Sequence, residues 1–204
     1  MGLYQWFMGL PWVYDWLRPK LMGGFDFSEP VAWLQTREGE TVVDVGCGTG
    51  HALNYLRPNL DYHGFDTDSR ALEKLKSTYP EPNIRVYHRT FSSQDLQKLQ
   101  PHKVLLLGLL HHLNDAQVLD LLHTLSRGER LVRVVTEDPV YMKGRWINNL
   151  LARLDRGKYV RTEQGYLQLL SAAGWQVEER YYCPAGNRLA TYLCLGLIPP
   201  EHQE

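Results

Sequence analysis

The chain has 204 residues, with 22 Lys and Arg against 23 Asp and Glu, a formal net charge of -1 and 44% hydrophobic residues. That length fits one domain with a full core, and the balanced charge argues against a nucleic-acid surface built on bulk cation density. Its three cysteines, Cys47, Cys183 and Cys194, show no CxxC or CxxH spacing, which points to thiols in a reducing, cytosolic setting rather than to disulfides or a metal centre.

The first segment, MGLYQWFMGLPWVYDWLRPKLMGGF, is rich in aromatic residues and Leu. It lacks a basic leader ahead of its apolar part, so it does not read as a signal peptide. Pro11, Asp15 and Arg18 break it too often for a membrane span. Residues 1–27 are expected to form a helical lid, with Tyr4 or Tyr14 closing over a pocket. The other reading is an interfacial helix resting on a membrane, which the scarcity of Lys and Arg before Arg18 disfavours. Residues 28–204 are expected to form the main domain.

Alternation then begins. TVVDV (41–45) is a β-branched apolar run, the pattern of a buried strand, and HALNYL after it looks helical. LDYHGFD (60–66) reads as a second strand ending on an aspartate. DSRALEKLKSTY (68–79) has Leu72 and Leu75 at helical spacing and stops at Pro80. IRVYH (84–88) is a third strand, and SSQDLQKLQ is a short helix capped by Ser92 or Ser93. KVLLLGLL (103–110) is a fourth strand. NDAQVLDLLHTL (114–125) is a helix with Asn114 as N-cap, and RLVRVVTED (130–138) is a fifth strand. YMKGRWINNLLARLDRGKYVRT admits no strand and is expected to give a helix and a loop. TEQGYLQLLSAAG (162–174) is a helix between a Thr162 N-cap and a Gly174 stop. WQVEERYYC and RLATYLCLGLI read as two hairpin-like strands. Strands separated by helices imply right-handed βαβ units and a parallel sheet, whose ligands bind beyond the carboxyl ends of the strands.

DVGCGTG follows the first strand. Its glycines, Gly46, Gly48 and Gly50, have the spacing G-x-G-x-G, which matches neither the dinucleotide fingerprint G-x-G-x-x-G nor a phosphate-binding P-loop. Such a loop still brings bare backbone to a ligand at a helix N-terminus. Asp44 places a carboxylate beside it, suiting a ligand that carries both a carboxylate and an ammonium. Asp66 ends the second strand where a ribose diol is gripped. An amino acid joined to a ribose describes S-adenosylmethionine.

DVGCGTG, the acidic tip in GFDTD and the later LLLGLLHHLND together resemble the class I S-adenosylmethionine-dependent methyltransferases, over about residues 30 to 196. The resemblance implies an α/β, Rossmann-like, doubly wound seven-stranded sheet with its last strand antiparallel and helices on both faces. It implies S-adenosyl-L-methionine as cofactor and S-adenosyl-L-homocysteine as product. Carried over by position, Asp44, Gly46, Gly48 and Gly50 would surround the methionine moiety, Asp66 would take the ribose hydroxyls and Thr67 would border the adenine. After strand three the family often has an acidic residue near the adenine amino group; here Thr90 and Phe91 stand instead, and Phe91 supplies apolar packing. Gly108 and Leu109 would line the cofactor through backbone. More narrowly, GLLHHL, TEDPVY and DRGKYVRT resemble small bacterial members with GxLHHL, DP and DRG…VRT segments.

Methyl transfer needs an aligned nucleophile and, for a hydroxyl acceptor, a proton sink. His111 is the candidate base; otherwise one histidine of the pair caps backbone and the other packs. A metal reading of the pair lacks a third ligand. Asp138 either joins the chemistry or orders the turn at Pro139. Tyr14, His112 and Arg156 are the candidate substrate contacts. Arg145, Arg153, Arg156, Lys158 and Arg161 read as a solvated helix face, or Arg156 or Arg161 binds an anionic group. The expected activity is methylation of a small molecule, at oxygen, without nucleic acid or metal. Methylation at nitrogen or carbon, a lipid or glycan precursor as acceptor, and a non-catalytic cofactor-binding role are the alternatives.

Overall fold

The computed structural model describes residues 26–186 and 188–200. The expectations for a lid and for Tyr4 and Tyr14 lie outside the described residues.

The main strands are β1 (Thr41–Val45), β2 (Asp61–Asp66), β3 (Ile84–His88), β4 (Lys103–Leu107), β5 (Arg133–Tyr141), β7 (Gln176–Pro184) and β8 (Thr191–Ile198). Their order across the sheet is β3-β2-β1-β4-β5-β8-β7. β1 to β5 pair in parallel, while β8 runs antiparallel to both β5 and β7. The expected doubly wound sheet is therefore present, and the last strand is inserted between its two predecessors. One further strand was not expected. Arg161–Thr162 forms a two-residue β6 that pairs parallel with Val140 and Tyr141. It exists because β5 continues through Asp138 and Pro139 to Tyr141, past the predicted end at Asp138. Along that stretch β8 supplies partners for Asp138 and Pro139.

The helices are α1 (Ser28–Ala32), α2 (Ser69–Thr78), α3 (Ser93–Leu99), α4 (Asp115–Leu125), α5 (Trp146–Arg153) and α6 (Glu163–Ala172). Their starts follow the chain's own capping residues: Asp68 accepts from Arg70 and Ala71, Thr162 from Gly165, and Ser92 and Asn114 each close a capping box. HALNYL makes only a four-residue 3₁₀ turn, His51–Asn54, entered from a left-handed Gly50 and followed shortly by Pro58.

Helices cover both sheet faces. On one, Val43, Phe65, Val104 and Leu106 meet Leu96 of α3, Val118 and Leu122 of α4, and Leu170 of α6. On the other, Val42, Leu105 and Val135 meet Val31 of α1 and Leu72 and Leu75 of α2. Strands buried on both sides read as continuous apolar runs, which is why β1 and β4 were legible. Cys47 and Cys194 are buried free thiols and Cys183 is half-buried.

Candidate active site

β1 and β4 are neighbours whose connections leave in opposite directions, the switch point where such sheets open a crevice. The loop after β1 folds back onto β2, with Gly46 and Cys47 N–H both donating to the Phe65 carbonyl at 2.7 and 3.1 Å. Gly46, Gly48 and Gly50 have φ of 79°, 52° and 78°, the left-handed region that glycine enters without steric penalty. They serve different ends. A Cβ on Gly46 would stand 3.2 Å from Leu109 Cδ1, and one on Gly50 would stand 2.8 Å from Leu75 Cγ. A Cβ on Gly48 would meet nothing within 4 Å. Gly46 and Gly50 therefore admit neighbours, while Gly48 leaves backbone bare to a ligand.

Asp66 secures that bend. Its Oδ2 accepts the Gly48 N–H at 2.8 Å and its Oδ1 accepts the Asp68 N–H at 2.8 Å. Each carboxylate oxygen keeps capacity for another bond, so the residue is fixed in place and still able to receive two hydroxyls. Beside it opens a cleft of about 1030 Å³. Its wall includes Gly46, Gly48, Asp66, Thr67, Phe91, Gly108, Leu109, His112 and Arg156. Nine of the predicted positions thus meet in one crevice. The lining suits the expected cofactor: an open, side-chain-free bend at Gly48, a carboxylate pre-oriented by backbone, and an apolar wall of Phe65, Phe91, Leu109 and Leu113 for a flat base.

Other predicted residues lie off this wall. Gly50 packs beneath the loop. Asp44 is 3% exposed and accepts the Tyr62 hydroxyl at 2.7 Å. Burial pushes its carboxyl up to about 7, against the opposing pull of that hydrogen bond. Sequence reasoning missed Ser92, Ser93 and Arg89, together with Gln117 and Thr124 from α4 and Arg127 just after it. The capping box at Ser92 was a usable signal, because Asp95 closes it and also takes both Arg89 nitrogens at 2.5 Å.

His111 and Asp138 also stand behind the cleft rather than on it. The His111 ring is buried between two carboxylates: Nδ1 lies 2.7 Å from Asp138 Oδ1 and Nε2 lies 3.1 Å from Asp155 Oδ1. The His111 N–H donates to the same Asp138 oxygen at 3.0 Å. Ionised carboxylates only accept, so an imidazole bridging two of them carries both protons. Those contacts raise His111 to about 9, overcoming a burial that alone would lower it. Burial raises Asp138, with His111 and Arg161 partly offsetting it, and its Oδ2 is buried without a partner among the described residues. Gly157 lies flat against the ring: a Cβ there would stand 1.9 Å from His111 Cδ2 and 2.7 Å from the His111 carbonyl. Tyr159 N–H donates to that carbonyl at 2.9 Å. Arg161 closes the assembly by donating to the Leu110 and Leu113 carbonyls and to Asp115. His111, His112 and Asp155 do bring three possible ligand atoms within 4.8 Å of one another, supplying the third ligand that the sequence did not reveal. In this arrangement both His111 nitrogens are already engaged by carboxylates.

Comparisons with known proteins follow the same lines. Residues 42–128 match a family described as a methyltransferase domain. Over 56 residues the chain is 36% identical to the provisionally named methyltransferase 235L of Invertebrate iridescent virus 6, a stretch that spans only 26% of this chain and 21% of the viral protein. Among solved structures, Burkholderia thailandensis 1,6-didemethyltoxoflavin-N1-methyltransferase, solved with S-adenosylhomocysteine, superposes with a TM-score of 0.68 at 16% identity, covering 93% of this chain and 84% of that one. Magnesium protoporphyrin IX methyltransferase from Synechocystis, also with the demethylated cofactor, gives 0.60 at 19% identity, covering 89% and 83%. The matched segment carries the glycine loop, Asp66 and the turn after β4, and the likeness to these solved structures is one of fold.

Proposed function

We propose that the cleft beside Asp66 holds S-adenosylmethionine and that the chain methylates a small-molecule acceptor at oxygen. One observation carries this reading: a carboxylate tied by backbone N–H groups to the bare Gly48 bend, at the tip of β2, opening on a cleft with an apolar opposite wall. When bound, the cofactor supplies a methyl group already activated by its positive sulfur. The chain's share is to bind, orient and exclude water. Asp66 takes the ribose hydroxyls, Gly46 and Gly48 present backbone to the amino-acid end, and Phe91, Leu109 and Thr67 enclose the base. Asp44, behind the loop, contributes a negative charge toward the cofactor's cationic end.

Within this reading the two histidines divide the work. His111 has no lone pair with which to accept a proton while both nitrogens donate to carboxylates, so it and Asp138 position the loop after β4. His112 is the imidazole on the cleft wall, and proton removal from a hydroxyl acceptor falls to it. Arg156 on the same wall favours an acceptor with an anionic group. Calorimetry with S-adenosylhomocysteine and, separately, NAD tests the assignment. Heat from the former alone is expected; binding of NAD alone would overturn it.

A further inference from the structure

Helix α5 turns its bulkiest apolar side chains outward. Its inward side carries Leu151 and Ala152 and a buried amide: Asn148, 2% exposed, donates to the Val140 carbonyl at 2.8 Å and accepts the Thr191 N–H at 2.7 Å. Asn149 binds both the N–H and the carbonyl of Met142, at 2.8 and 2.9 Å. Its outward side is apolar: Trp146 is 73% exposed, Leu150 48% and Ile147 37%, with Tyr159 beyond the helix at 40%. A helix packed on a globular core ordinarily turns its apolar stripe inward and its polar residues to water. Here two asparagines anchor the helix by backbone bonds, which leaves Trp146, Ile147 and Leu150 out of the core.

The charges along this stretch of the chain are nearly all of one sign. Lys143, Arg145, Arg153, Arg156 and Lys158 are exposed. The one acid between residues 142 and 160 is Asp155, whose side chain is 4% exposed and held against His111. The pattern of an exposed Trp and Leu flanked in the chain by Lys and Arg is that of a helix lying in the headgroup region of an anionic membrane. A second copy of the chain fits poorly, since a two-fold contact would set the same cations against themselves. The face is also continuous with the cleft: α5 ends at Arg153, Asp155 clamps His111, and Arg156 lines the cleft wall.

We infer that α5 docks the protein on an anionic lipid surface, with Trp146, Ile147 and Leu150 entering the interface, the surrounding cations meeting the headgroups and the cleft mouth held close to the bilayer. The inference does not depend on the cofactor assignment, because binding to lipid is read without turnover.

Vesicle flotation tests it with the full chain, using phosphatidylcholine alone and phosphatidylcholine mixed with phosphatidylglycerol. Retention is expected on the anionic vesicles only and should fall as salt rises. Lys143→Gln and Arg153→Gln should each weaken it about fivefold. The double substitution Trp146→Ser/Leu150→Ser should abolish it while leaving the thermal midpoint and the affinity for S-adenosylhomocysteine unchanged. Equal retention of that double variant would overturn the inference, as would equal binding to neutral vesicles. So would retention lost on Trp12→Ser/Trp16→Ser but untouched by changes in α5. A wild-type dimer that the α5 double variant converts to a monomer, with no vesicle binding by either, would reassign the face to self-association and refute the proposal.

Discussion

Gly157 is the point at which a single methyl group should do most damage. A Cβ there would stand 1.9 Å from His111 Cδ2 and 2.7 Å from the His111 carbonyl, far inside van der Waals contact. The ring cannot swing aside, because Asp138 and Asp155 hold its two nitrogens at 2.7 and 3.1 Å. The backbone cannot recede without breaking the Tyr159 N–H bond to the same carbonyl, at 2.9 Å. Gly157→Ala must therefore lift the 155–160 loop off the ring. Losing a charge-assisted hydrogen bond removes roughly 1.5–3 kcal/mol, and overpacking adds about 1–3 kcal/mol. A total of about 3 kcal/mol corresponds to a fall of roughly 6–12 °C in thermal midpoint for a chain of this size. Differential scanning calorimetry measures it. S-adenosylhomocysteine titration of the folded variant should show Asp66-dependent affinity retained, since the glycine loop is untouched. A midpoint within a degree of wild type would refute the claim that this loop is clamped on His111.

The remaining predictions concern charge. Asp66→Ala should weaken S-adenosylhomocysteine by about 1–3 kcal/mol through loss of charge-assisted bonds; unchanged affinity in calorimetry would contradict the ribose assignment. His111, raised from 6.5 to about 9 in the folded chain, binds its proton more tightly than when unfolded. Its stabilisation is fully present below pH 6.5, declines as pH rises and is gone above 9, a change of at most roughly 3 kcal/mol at 1.36 kcal/mol per pH unit. Urea midpoints between pH 6 and 10 should thus slope downward for wild type and flatten for His111→Gln; parallel curves would disprove the imidazolium clamp. Asp44, raised from 3.8 to about 7, likewise removes stability as pH climbs between those values. Asp44→Asn should accordingly raise the thermal midpoint at pH 8 while lowering affinity for S-adenosylhomocysteine, and a variant more stable with full affinity would remove Asp44 from the cofactor's surroundings.

The sheet was legible because its strands are buried on both faces, so apolar runs such as TVVDV and KVLLL carry the signal without help from neighbours. The cleft was legible because its parts sit at strand tips, where a positive-φ glycine or an aspartate has few other uses. What escaped the sequence depends on contacts distant along the chain. β6 pairs with a strand some twenty residues earlier, and two residues leave no periodicity to detect. The orientation of α5 escaped for a different reason. Its apolar residues are spaced as a core stripe would be, and the bonds made by Asn148 to Val140 and Thr191 and by Asn149 to Met142 set which side faces in. Likewise, the two adjacent histidines keep their rings in contact, with 4.2 Å between centroids, yet only contacts distant in the chain show that His111 is buried between two carboxylates while His112 lies on the cleft wall.

That arrangement explains why three short segments far apart in the chain belong together. His111 from GLLHHL, Asp138 from TEDPVY, and Asp155, Gly157 and Arg161 from DRGKYVRT meet around one buried imidazole. Each residue type answers a physical demand there. Two carboxylates neutralise one imidazolium, a glycine supplies a flat surface against the ring, and an arginine fork satisfies carbonyls of the 3₁₀ turn that have no helix to continue into. A cation buried with one partner would cost several kcal/mol, whereas two partners make it a rigid joint between β4, β5 and the segment after α5. The joint fixes Gly108 and Leu109 on one side and Arg156 on the other, which are the cleft residues adjoining it. Arg156 is the residue between the clamp's Asp155 and Gly157, so an acceptor that moves Arg156 must strain the clamp. Substitutions at His111 should therefore alter acceptor affinity and cofactor affinity together, whereas His112→Ala should leave cofactor affinity intact and reduce turnover alone.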